Sequence, residues 1–61
     1  MKYLQRINWF PPEHKVIFRD HENNRSWISF KSIRLLARRE RADIWLCCEG
    51  QFEFLMLKLP D

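Results

Sequence analysis

The chain has 61 residues, 46% of them hydrophobic and 15% aromatic, with one glycine, three prolines and a net charge of +3. A fold of about 60 residues buries only about 60% of the surface its unfolded chain exposes, so it has no interior large enough to desolvate a substrate. The apolar and aromatic content excludes a disordered chain, and the longest apolar run, Ile44 to Cys48, is far too short to span a bilayer.

Residues 1–61 read as a single small globular domain without repeat, linker or low-complexity tract. Met1 to Asn8 has no continuous apolar core and no small-residue cleavage site, so no secretory signal is expected there. Cys47 and Cys48 are adjacent. In an extended segment they point to opposite faces, so they do not form a disulfide framework, and reduced thiols in a cytoplasmic setting are expected. The charge is unevenly placed. Residues 1–30 carry +2, residues 31–41 carry +4, and residues 42–61 carry −3.

Tyr3 to Trp9 alternates loosely, with Tyr3, Ile7 and Trp9 against Leu4 and Arg6, and is expected to form a first strand. Pro11 and Pro12 must interrupt it, because neither donates to a strand ladder. His14 to Arg19 is a second strand, with Val16 and Phe18 opposed to Lys15, Ile17 and Arg19. Asp20 to Asn24 is a polar turn whose Asx side chains can bond their own backbone, and Arg25 to Ile28 is the returning strand.

A helix follows. Ser29 suits the N-cap, and Ile28 before it can staple to Ile33. At 3.6 residues per turn, Phe30, Ile33, Leu36 and Ala37 share an apolar face. Lys31, Arg34, Arg38 and Arg41 share a neighbouring face with Leu35 at its edge. Glu40 falls on the apolar side, so the helix is expected to fray before it.

Asp43 to Cys48 and Gln51 to Leu57 then flank Glu49-Gly50, which predicts a two-residue hairpin turn using the only glycine. Trp45, Cys47, Phe52, Phe54 and Met56 line one face of this hairpin. Ile44, Leu46, Leu55 and Leu57 line the other, interrupted by Glu53. Both faces are apolar, so one calls for the helix and the second for a further cover, by a partner or a second copy of the chain. The expected fold is α+β, a small antiparallel sheet of about five strands with one amphipathic helix packed on it, in the order β-β-β-α-β-β.

The basic stripe Lys31, Arg34, Arg38 and Arg41 carries the main functional signal. Four like charges at this spacing repel one another by about 0.2–0.5 kcal/mol per pair, so the helix gains nothing intrinsic from them. They suit recognition of carboxylates on an acidic protein or of phosphates, and arginine favours planar two-pronged contacts. The plainer alternative is a solvated face neutralised by Asp43, Glu49 and Glu53. Trp27, Trp45, Phe18, Phe30, Phe52 and Phe54 sit where a small core needs aromatics, whereas Tyr3, Trp9 and Phe10 read as a candidate sticky edge or stacking platform.

His14, His21, Cys47 and Cys48 lack the spacing of a structural zinc site, and no cofactor motif is present. The expected function is a small non-enzymatic regulator or inhibitor. It would bind a macromolecule, foremost an acidic protein, through the arginine face with Leu35 and an apolar sheet surface. The second reading is a nucleic-acid-binding accessory protein using the same helix. The third is a small ribonuclease-like enzyme centred on His14 or His21.

Overall fold

A computed structural model describes residues 1–60. It contains β1 (Lys2–Arg6), β2 (Lys15–Arg19), β3 (Arg25–Ser29), α1 (Phe30–Glu40), β4 (Asp43–Glu49) and β5 (Phe52–Lys58). The expected α+β order of elements is present, in one five-stranded sheet with strand order β1-β4-β5-β2-β3.

The sheet is mixed, not antiparallel. β1 pairs with β4, β4 with β5, and β2 with β3, all antiparallel, but β2 meets β5 in parallel at Phe18 and Leu55. These directions leave β3 and β4 running the same way, so the chain between them must return along the sheet. Helix α1 makes that return. Its 11 residues span about 16 Å, close to the roughly 17 Å of a five-residue strand.

The helix starts as its sequence predicts. The Ser29 Oγ accepts from the Ser32 N–H at 3.3 Å. Two further amides without intrahelical partners donate to the β1–β2 connector, Phe30 N to the His14 carbonyl at 2.7 Å and Lys31 N to the Pro12 carbonyl at 2.9 Å. The other end does not fray. Glu40 remains helical and exposed, and Arg41 closes the helix in the left-handed region at φ 54°. There Arg41 N donates to Arg38 O at 3.4 Å and Ala42 N to Ala37 O at 2.9 Å, the paired bonds of a Schellman motif.

The main core lies between helix and sheet. Phe30, Ile33 and Ala37 pack with Ile7, Phe18, Ile44, Leu55 and Leu57, and Phe10, Val16, Ile28, Leu36 and Leu46 border them. A smaller cluster of Cys47, Phe54 and Met56, bordered by Ile17 and Trp45, lies on the face without a helix.

Three local expectations are corrected. In β1 the register shifts between Tyr3 and Gln5. This bulge inserts one residue and reverses the alternation, so Tyr3 opposes Cys47 on the helix-free face while Ile7 enters the main core. The β4–β5 turn is Gly50-Gln51, because Glu49 still pairs with Phe52. Gly50 holds φ 65° as the first of the two loop residues, the glycine position of a type II′ turn. The shift is two residues in register and leaves the face assignment unchanged. Finally, Trp27 and Phe52 are not core residues. They are 68% and 66% exposed, since the helix covers the other side of their strands.

Candidate binding surfaces

The outward face of α1 presents Lys31, Arg34, Leu35 and Arg38, all exposed. With Pro12 they border one shallow depression. Pro12 is held there by the hydrogen bond from Lys31 N to its carbonyl. Sequence reasoning treated the two prolines as a strand break only, and missed Pro12 as a neighbour of the stripe. Leu35, 55% exposed, is apolar surface among three cations. Arg41 does not belong to the stripe, since its left-handed backbone takes it out of the helical repeat.

The carboxylates expected to neutralise this face form no ion pair with it. Asp43 meets Arg6 at 3.4 Å. Glu49 pairs with Arg19 and lies 3.9 Å from Arg25. The Arg19 hydrogen bond and charge hold the Glu49 carboxyl below its ordinary pKa. Glu53 borders a cleft with His14 and Lys15. Among the described residues, Lys31, Arg34 and Arg38 form no ion pair.

Tyr3, Trp9 and Phe10 do not form one edge. Phe10 anchors the connector by stacking on His14 at 4.9 Å and meeting the Phe30 ring edge-on at 5.4 Å. Trp9 lies over Phe10 at 5.1 Å, on the outside of this stack. Tyr3 is on the helix-free face, edge-on to Trp45 at 5.8 Å.

The helix-free face is covered in part by its own long cations. The Arg19 guanidinium lies 5.1 Å from the Phe54 ring centre, and the Lys58 ammonium lies 4.7 Å from Tyr3 and 5.4 Å from Trp45. Their alkyl stems and cation–π contacts explain how Cys47 and Phe54 are buried with no helix above them. That burial raises the Cys47 thiol pKa. Both cysteines are free, and their successive positions in β4 send them to opposite faces.

His14 and His21 flank opposite ends of β2, with the roughly 17 Å of that five-residue strand between them, and do not converge. Among the described residues no three His, Cys, Asp or Glu side chains gather in a group able to hold a metal ion. No helix among them is long and apolar enough to cross a membrane. Comparison with protein-family models, with curated proteins and with solved structures finds no match.

Proposed function

We propose that this chain is a small non-enzymatic regulator that acts in the cytoplasm by binding an acidic protein through the outward face of α1. The observation that carries this reading is Leu35, an exposed leucine between Lys31, Arg34 and Arg38, cations that form no ion pair among the described residues. A phosphate backbone makes little use of a leucine, whereas a protein partner can bury it inside a ring of charge contacts. The apolar sheet face lies on the opposite side of the molecule and is not part of this interface.

The test is capture of partners from the native host with and without nuclease, followed by affinity measurement with the purified partner. Nuclease-resistant binding is expected. Arg34→Ala with Arg38→Ala should abolish most of it, largely through faster dissociation. Leu35→Ala should weaken it about fivefold or more, a loss of about 1 kcal/mol or more from a buried apolar contact. Full binding by the double arginine variant would overturn the proposal. Binding that disappears with nuclease and ignores Leu35→Ala would assign the helix to nucleic acid instead, with a salt slope that flattens by about 0.9 per lost phosphate contact on a duplex.

A further inference from the structure

The helix-free face carries exposed aromatic rings beside cations. Ile17 opposes Trp27 across the β2–β3 pair, and Lys15, two residues before Ile17, projects to the same side. Phe52 shares that side with Phe54 on β5, the strand on the other flank of β2. Lys15 is exposed on β2, the strand between those that bear the exposed rings Trp27 (β3) and Phe52 (β5). Tyr3 and Trp45 are engaged with Lys58 and with each other, and Phe54 lies under Arg19. Trp27 and Phe52 have no ring or cation partner among the described residues.

The charge of the face favours a polyanion. Arg19 and Arg25 share the single carboxylate of Glu49, and no ion pair among the described residues involves Lys15 or Lys58. Two copies laid face to face would oppose these excess cations, which disfavours self-association here. The strands bearing Trp27 and Phe52 have one strand between them, so they lie about 10 Å apart. Bases in a duplex are stacked about 3.4 Å apart and paired, and neither ring can reach their faces.

We infer that the helix-free face is a platform for single-stranded nucleic acid. Trp27 and Phe52 each stack on one unpaired base, and Lys15 contacts the phosphate between them. This site is independent of the protein-binding face of α1, which lies on the other side of the sheet.

The test is fluorescence anisotropy of the full chain with a labelled oligothymidine and an oligouridine of about twelve nucleotides, within the roughly 4–16 that such sites span. A duplex of equal length is the comparison. The single strands are expected to bind more tightly than the duplex. Trp27→Ala and Phe52→Ala should each weaken binding about 5- to 150-fold, and Trp27→Phe should restore most of it because it keeps a stacking ring. Lys15→Ala should flatten the salt slope by about 0.7. Circular dichroism of each variant checks that the fold is intact.

Equal or tighter binding of the duplex would overturn the proposal. So would unchanged affinity in both ring variants, or loss confined to the Arg34/Arg38 variant, which would place the nucleic acid on the helix. Failure of every oligonucleotide to bind at about 50 mM salt, where such contacts are strong, would also overturn it, and binding of polyglutamate under the same conditions would point to an acidic protein on this face.

Discussion

Arg41 occupies a backbone conformation that costs an L-residue about 1–2 kcal/mol and that glycine adopts freely. Arg41→Gly should therefore stabilise the fold despite the entropy glycine adds to the unfolded chain. A net gain of about 0.5–1 kcal/mol, or roughly 2–8 °C in Tm, is expected from thermal melts. A lower Tm would show that the arginine side chain contributes more where it stands than its backbone costs. Nothing in the sequence marks this position, since the residues that signal a left-handed turn are glycine and asparagine, as at Gly50 and Asn23. Trp27 and Phe52 were illegible for a different reason. Alternation assigns each to a face of its strand but does not tell which face the helix will cover.

At the scale of elements, the predicted β2, β3, α1, β4 and β5 correspond closely to those observed, because each combines a clear period with a chemical boundary. The Asp20 turn is one such boundary, its Oδ1 accepting from the Glu22 and Asn24 amides at 2.9 Å. Ser29 is another. Ser29→Ala should cost about 0.5–2 kcal/mol by leaving the Ser32 amide unpaired. Chemical denaturation should show a lower midpoint with an unchanged slope. An unchanged midpoint would mean that the connector carbonyls of Pro12 and His14 hold the helix start without the cap. The β1 bulge and the parallel β2–β5 contact were not legible. A bulge leaves the composition of a strand unaltered, and a pairing between residues 18 and 55 is set by the path of the helix and not by any local pattern.

For the whole molecule, the basic helix face and the aromatic sheet face look in opposite directions, and one carboxylate organises much of the latter. Glu49 bonds Arg19 and lies near Arg25, and its carboxyl pKa is lowered first by the Arg19 hydrogen bond. Asp20 is lowered too, chiefly by the Asn24 backbone amide. A folded pKa below the unfolded value means that the ionised group favours the fold. This contribution is complete above the ordinary carboxylate range, about pH 4.3, and disappears as pH falls through the lowered folded values. Denaturation midpoints should thus fall on acidification below about pH 4.5. Glu49→Gln should show a smaller fall over the same range. An identical pH profile in the variant would remove Glu49 from the account of acid sensitivity.

The strand at the middle of the sheet, β5, is the last to appear along the chain. A chain that stops before Phe52 has β1 to β4 and the helix but lacks the strand that joins β4 to β2. In such a fragment β4 and β2 present open edges, and Ile44, Phe18 and Ile33 lack the Leu55 and Leu57 that complete their core. A message cut short before Phe52 would yield a fragment without the central strand, fit for degradation and not for binding.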